Sequence, residues 1–434
     1  MYSFLEFRII NNKIIFNDII DIMKHLIIGA GITGLYLTYK LLSQGIEATD
    51  IIIFEKSDRI GGRIYTHENK GYKYSAGAGR LGKNHKYVMK LIKDFNLEDQ
   101  IININKNNNY YVDGKLMTEQ QLLKHYKSQY KSLNDLWRYA IGKKVNISKY
   151  NLNNYNLHNY FSLILPTNEV ELLKTSLGYI AEMYDMNAYN GLLTLRKDFD
   201  IKNNDFYVLR DGMHVLCDSL YNYIERAGVT IKLSSTLEDL YDDKKYIIVN
   251  GSKYNYAKLY LTIKRKDYMD IVFFKKYEDL FNTVTDGKLL RIYARYKDVW
   301  FRNMPKVLAQ NKIQFIIPID YESGLIQISY SDSYNADFWN NFKSDKDIMK
   351  YLTKILNEMF PDKNIKDPEW ITMHYWEAGD HLWKVGVDSK KIQKNIDDVF
   401  ISKNIYILGE AYSDRQAWIE GAIETVHRKL NIDK

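Results

Sequence analysis

The chain has 434 residues, 61 Lys and Arg against 54 Asp and Glu (net charge +7), 46% hydrophobic residues and a single Cys. That length admits two or three domains or one large discontinuous one, and the apolar share excludes wholesale disorder. One Cys excludes a disulfide framework and a cysteine-based zinc site and suits a cytoplasmic or other reducing intracellular compartment.

Residues 1–22 read as an N-terminal extension: apolar and charged groups alternate (Glu6, Arg8, Lys13, Asp18, Asp21) without a small-residue cleavage site, so no secretory leader is expected. Lys24-His25-Leu26-Ile27-Ile28-Gly29 is a continuous apolar run ending in Gly, which predicts a buried strand. Ile32, Leu35, Tyr36, Tyr39 and Leu42 follow at helical spacing, with Gly45 as the stop. Asp50–Glu55 is a second buried strand, so the three form a strand–helix–strand crossover of a parallel sheet. From about residue 84 to 200 the pattern is mainly helical and rich in Asn and Tyr. A helix is expected over 212–227, then strands near 229–233, 246–249 and 258–262, and several alternating strands between 285 and 330. Ile405-Tyr406-Ile407-Leu408-Gly409 is another buried strand, running into a helix from about Trp418. Both ends of the chain thus carry the same strand–turn–helix, and they are expected to build one domain with a second inserted between them.

Gly29-Ala30-Gly31-Ile32-Thr33-Gly34 is a GxGxxG motif at the first strand-to-helix turn. Its glycines suit a tight turn, a close backbone approach to a pyrophosphate, and close helix–strand packing. The helix N-terminus adds N–H donors and positive dipole. Glu55 stands 55 − 34 = 21 residues past the last Gly, where a carboxylate can accept from both ribose hydroxyls. Six residues on, Gly61-Gly62-Arg63 offers another close approach and a bidentate cation for phosphates.

With these motifs the chain resembles the flavin-containing amine oxidase superfamily from about residue 23 onward, most strongly at its two ends. Three further stretches carry the resemblance: Leu209-Arg210-Asp211-Gly212-Met213, Leu237, and Gly409-Glu410-Ala411-Tyr412-Ser413 followed by Trp418-Ile419-Glu420-Gly421-Ala422. The resemblance implies an α/β fold, a Rossmann-like FAD-binding domain with a doubly wound parallel sheet, and an inserted α+β substrate domain. It implies boundaries of 23–80, 203–265 and 395–434 for the first, and 81–202 with 266–394 for the second with its helical subdomain. Gly29, Gly31, Ile32, Thr33, Gly34, Glu55, Lys56, Gly61, Gly62 and Arg63 are then expected to hold FAD, with Gly79, Arg80, Leu237, Gly409, Glu410, Trp418 and Ile419. Where some relatives tether flavin to a Cys, this chain has Val385-Gly386, and Cys217 lies elsewhere, so the FAD is expected to be non-covalent.

Three residues are expected to do chemistry. Arg80, in Ser75-Ala76-Gly77-Ala78-Gly79-Arg80-Leu81, stands where L-amino-acid oxidases grip the substrate carboxylate; the alternative is an Arg contacting only FAD or an interface carboxylate. Alternation places Lys288 on the apolar face of its strand with Leu290, Ile292 and Ala294. There the family keeps a Lys bonded to a water beside flavin N5; the alternative is a strand-end Lys reaching solvent. Tyr330 shares a face with Ile326 and Ile328 by the same alternation and stands where a Tyr assists the Arg, or else serves the core or surface. Trp376, His381, Trp383 and Lys384 are expected to form a pocket wall, with His381 a proton carrier or a hydrogen-bonded structural residue.

The resemblance implies a soluble FAD-dependent oxidoreductase. It would transfer hydride from the carbon of an amine or L-amino acid to flavin N5, with imine hydrolysis, oxygen as acceptor and hydrogen peroxide as product. A flavin-dependent isomerase, mutase or desaturase on the same fold is the alternative, or an inactive flavin-binding scaffold. No metal-ligand spacing, phosphate loop or Ser-His-Asp set competes, and scattered basic residues give no reason to expect nucleic acid or a membrane as partner.

Overall fold

The computed structural model describes residues 6–10, 13–17, 23–104, 107–142, 151–198 and 205–432, the first two stretches as backbone alone. Glu6–Ile10 and Lys13–Asn17 pair as an antiparallel hairpin; the rest of the N-terminal extension lies outside the described residues. Strand Lys24–Ile28 sits at the middle of a parallel sheet, between Ile51–Phe54 and the second half of Ser252–Leu261. Thr230–Lys232 extends one side and Ile405–Ile407 the other, both parallel. Distant stretches of the chain therefore meet in one sheet, and continuous apolar runs suit strands buried on both faces.

One face of that sheet is covered by helices Ile32–Ser43, Val215–Arg226 and Ile419–Leu430, with Leu35, Leu216 and Ile423 fully buried between them. Gly45 (φ +84°) ends the first helix in the left-handed region, as its placement in the sequence predicts. The other face packs Phe274, Phe281, Phe400 and Trp383, and the first half of Ser252–Leu261 turns away to form an antiparallel meander with Tyr246–Val249 and Leu237–Tyr241.

A second seven-stranded sheet runs Lys115–Met117, Asn108–Val112, Lys306–Ala309, Phe315–Asp320, Leu325–Asp332, Val284–Arg295, Trp370–Trp383. Helices Ser333–Asn340 and Asp345–Met359 back its outer face through Ile292, Ile326, Trp339 and Leu352. A helical cluster drawn from residues 119–198 packs on its far edge around Leu157, Phe161 and Leu173. The stretch expected to be mainly helical also supplies three short strands, Ile101–Asn103, Asn108–Val112 and Lys115–Met117. Among the described residues, no helix is long and apolar enough to cross a membrane.

Candidate cofactor and active site

The GxGxxG turn works as its spacing predicts. A Cβ on Gly34 would stand 2.0 Å from the carbonyl oxygen of Gly29, so only glycine lets helix Ile32–Ser43 sit this close to the strand before it. A Cβ on Gly31 would meet nothing nearer than 4.0 Å, across an open cleft from Gly61 and Gly62. The two glycine loops hold each other: Gly61 N–H donates to Ala30 O at 2.9 Å. Glu55 accepts from Ala30 N–H at 2.8 Å and from Ser57 N–H at 2.9 Å, which fixes its carboxylate at the cleft wall.

One elongated cleft gathers most of the expected cofactor residues. Gly29, Gly31, Ile32 and Thr33 line one end with Glu55 and Lys56; Gly61, Gly62, Arg63 and Leu237 line its flanks; Glu410, Trp418 and Ile419 line the other end with Trp376 and Gly379. Gly34 lies beneath this lining, and Gly409 (φ +113°) behind Thr33. Ala417 adopts φ +64° at the cleft wall, and Gly421 lets the carbonyl of Arg415 pass 1.8 Å from where its Cβ would be, so the loop before Trp418 folds tightly over helix Ile419–Leu430. Glu420 turns away from the cleft to accept from Tyr87 and Val88 N–H, capping helix Lys86–Asp94.

At the Glu410 end lies a buried charge network. Arg63 and His381 Nδ1 both reach Glu410 Oε1, the latter at 2.9 Å, and His381 Nε2 lies 3.3 Å from Asp286, which Arg265 grips through two nitrogens. Burial alone would lower the His381 pKa, but Glu410 and Asp286 outweigh it and raise it. Glu410 is held low by Arg63 and His381 despite its burial. Its second oxygen, Oε2, is buried without a partner among the described residues. An elongated cleft with a glycine-floored end, a fixed carboxylate and this unmatched oxygen fits a dinucleotide whose other end carries hydrogen-bonding groups. His381 is thus a hydrogen-bonded member of this network, and Trp376 bonds Ala76 O at 2.8 Å. Trp383 and Lys384 do not line the cleft. Cys217 belongs to helix Val215–Arg226 and is fully buried on its core-facing side, where burial pushes its thiol pKa up.

The expected catalytic residues are placed differently from the sequence reading. Lys288 does share a face with Leu290, Ile292 and Ala294, but that face is apolar because helices Ser333–Asn340 and Asp345–Met359 cover it. Lys288 is half-exposed and pairs with Asp337 at 2.6 Å, away from the cleft. The segment Ser75–Gly79 meets the opposite face, where Arg291 donates to Ser75 O at 2.7 Å and Tyr293 O–H does so at 2.6 Å. Tyr330 is corrected in the other sense. A bulge shifts the pairing between Ile292 and Tyr293, so Tyr330 lies opposite Arg291 while Ile326 lies opposite Ala294, on the helix-covered face. Tyr330 therefore stands with Arg291, whose guanidinium carbon is 4.7 Å from its ring centre.

Arg80 adjoins the cleft rather than lining it. Its guanidinium lies 5.4 Å from the Trp418 ring centre and 5.1 Å from that of Phe206, and it donates to Tyr179 O–H at 2.9 Å. Tyr179 also lines a second cavity between the helical cluster and the sheet, with Tyr111, Tyr126 and Tyr334. Tyr179 and Arg291, which the structure brings beside Arg80 and Tyr330, are candidates that sequence reasoning missed; Arg291 was legible only as a cation on the face of its strand opposite Lys288, whereas Tyr179 carried no signal among so many tyrosines.

The sequence profile of the flavin containing amine oxidoreductase family matches residues 32–258 and 302–428. The chain belongs to this family. An L-amino-acid oxidase of Echis ocellatus is 26% identical over 227 residues, 46% of this chain and 43% of that protein. A flavin-containing amine oxidase A of Equus caballus is 37% identical over 90 residues, 20% of this chain and 16% of that protein. The matched stretches thus span less than half the length of these relatives. A redesigned putrescine oxidase has the same fold at a TM-score of 0.73 and 13% identity, covering 95% of this chain and 99% of that one. The fold is that of the FAD-dependent amine oxidases, as the first motifs suggested, and the family's cofactor is a flavin.

Proposed function

We propose that this protein oxidises an amine or an L-amino acid with a non-covalently held FAD. The observation that carries the reading is the position of Arg80, stacked against Trp418 at the end of the cofactor cleft and bonded to Tyr179 at the edge of a second cavity. A cation at that junction can hold a substrate carboxylate in bidentate fashion while the adjoining carbon faces the cleft.

The bound flavin supplies the two-electron acceptor that turns an amine carbon into an imine carbon. Gly29, Gly31, Glu55 and Arg63 hold the dinucleotide, and Glu410 with Trp418 and Ile419 holds its other half. Arg80 and Tyr330 orient the substrate. Arg291, fixed on Ser75 O, takes the place expected of Lys288 beside the flavin, where a permanent cation favours negative charge on its neighbours. Tyr330 stays a neutral hydrogen-bonding group, since burial raises its pKa. Cys217 lies outside the cleft, which supports non-covalent attachment, and molecular oxygen is the proposed electron acceptor.

The test is anaerobic absorbance of the purified yellow protein mixed with L-amino acids, monoamines and polyamines. Bleaching of the oxidised-flavin band by one class establishes the activity. A flavin that none of them bleaches moves the reading to an isomerase, mutase or desaturase, or to an inactive scaffold.

A further inference from the structure

Beside Arg80, two more cations face the same group of rings. Tyr179, Phe315 and Tyr330 form a contiguous triad, with ring centres 4.8, 5.7 and 5.8 Å apart. Each ring carries one cation: Arg80 bonds Tyr179 O–H, Lys306 Nζ stands 5.6 Å from the Phe315 centre, and Arg291 lies 4.7 Å from the Tyr330 centre. The triad is rigidly seated, because Phe315 packs onto Gly178 where a Cβ would come within 2.6 Å of its ring.

None of the three cations forms an ion pair among the described residues, and the Lys306 ammonium makes no hydrogen bond there either. Arg291 and Lys306 lie deep in the molecule, and all three side chains keep some accessible surface. Deeply placed cations are ordinarily matched by an anion. Here burial and the charge of Arg80 pull the Lys306 ammonium down to about 7. Two carboxyls stand near, Glu182 and Asp380, but both are driven toward their neutral form. Burial with Asp332 and Asp380 raises Glu182 well above its usual value, and burial with Glu410 lifts Asp380 to about 7.

We propose that the substrate is a dicarboxylic amino acid, whose two carboxylates share Arg80, Arg291 and Lys306 around the Tyr179–Phe315–Tyr330 triad. This rests on the amine-oxidising reading and narrows its substrate class. One carboxylate satisfies Arg80, as any amino acid would. The second is what the unpaired Lys306 and the remaining donors of Arg291 require, and an aliphatic amino acid or a polyamine leaves them unmatched.

The test uses the full-length flavin-loaded protein. Glutarate and butyrate, which have no amine to oxidise, are titrated while the flavin absorbance band and the thermal unfolding temperature are followed. Separately, L-glutamate, L-aspartate, L-leucine, L-lysine and putrescine are compared for anaerobic bleaching. Glutarate is expected to bind about tenfold or more tighter than butyrate, since a charged hydrogen bond is gained. That ratio collapses toward one in Lys306→Met and persists in Lys306→Arg, and L-glutamate or L-aspartate bleaches faster than the other three. Equal binding of glutarate and butyrate, with L-leucine or putrescine bleaching as fast as L-glutamate, overturns the proposal and leaves the oxidase reading standing. Selective glutarate binding with no bleaching by any of the five overturns the oxidase reading and, with it, the substrate class, while the anion site survives.

Discussion

The two glycines at the cofactor turn make opposite demands, and substituting each with alanine separates them. In Gly34→Ala the new methyl would overlap the Gly29 carbonyl at 2.0 Å and approach its carbon at 3.2 Å, and both are backbone atoms that no rotamer change can move. Overpacking of this kind costs about 1–3 kcal/mol, partly offset by the ~1 kcal/mol that alanine gains over glycine inside a helix. A net loss of about 1–2 kcal/mol corresponds to several degrees in unfolding temperature. In Gly31→Ala the backbone is already extended (φ −74°, ψ 179°) and the methyl meets nothing within 4.0 Å, so stability should change by no more than about 0.5 kcal/mol. That methyl occupies the gap facing Gly61 and Gly62, where the pyrophosphate is proposed to lie. Flavin retained per protein should then fall about tenfold or more, equivalent to ~1.4 kcal/mol of binding. The assay is the ratio of flavin to protein absorbance after FAD titration, with thermal unfolding of the flavin-free proteins alongside. A Gly31→Ala protein with full flavin, or a Gly34→Ala protein as stable as the parent, refutes the assignment of roles.

Lys288→Met should leave flavin content and substrate-driven bleaching unchanged and cost no more than ~1 kcal/mol, because it removes a half-exposed pair with Asp337; Arg291→Met should slow bleaching while flavin stays bound, and rapid-mixing absorbance compares the two. His381, raised by Glu410 and Asp286 against its burial, stabilises the fold when protonated. That contribution is complete below the ordinary His value of 6.5 and is lost as pH climbs through the raised one, so the unfolding temperatures of the parent and His381→Asn should differ more at about pH 6 than at about pH 9.5. A gap that widens with alkalinity contradicts a His381 pKa raised by these carboxylates. Glu420→Ala strips the cap from helix Lys86–Asp94, leaving Tyr87 and Val88 N–H without their acceptor, and should cost about 1–3 kcal/mol by denaturant unfolding with little change in flavin affinity.

The cofactor half of the molecule was legible because its chemistry is local in sequence. A tight turn, a close approach and a carboxylate at a fixed offset are each set by a few neighbouring residues, and buried parallel strands announce themselves as unbroken apolar runs. The half built on the second sheet was not, and the reason is specific. Alternation assigned Lys288 to the correct face of Val284–Arg295, but periodicity does not say what covers a face. The apolar side of that strand packs helices, and the polar side carrying Arg291 and Tyr293 meets Ser75, a residue 216 positions away from Arg291. Tyr330 shows the complementary limit, since one bulge reverses the faces on either side of it and no pattern of apolar residues marks where the bulge falls.

These two displacements bear on how the site works. Had Lys288 faced Ser75–Gly79, the cation there would be a flexible ammonium on an exposed strand end. The structure instead seats Arg291 between Ser75 O and the Tyr330 ring, with Tyr293 sharing the same acceptor. A guanidinium held on two sides keeps its charge at any working pH and loses little freedom on meeting a ligand, whereas burial and the charge of Arg80 pull the Lys306 ammonium down to about 7. The ring triad thus carries a permanent cation, Arg291, beside Lys306, whose protonation an arriving anion would complete. That pairing favours a substrate bringing more than one negative charge, and it predicts that Arg291→Lys, conservative in charge, should slow bleaching when assayed above about pH 7, where a buried lysine gives up its proton. A rate equal to the parent's across that range would show that charge alone, without the guanidinium's permanence, is what the site requires.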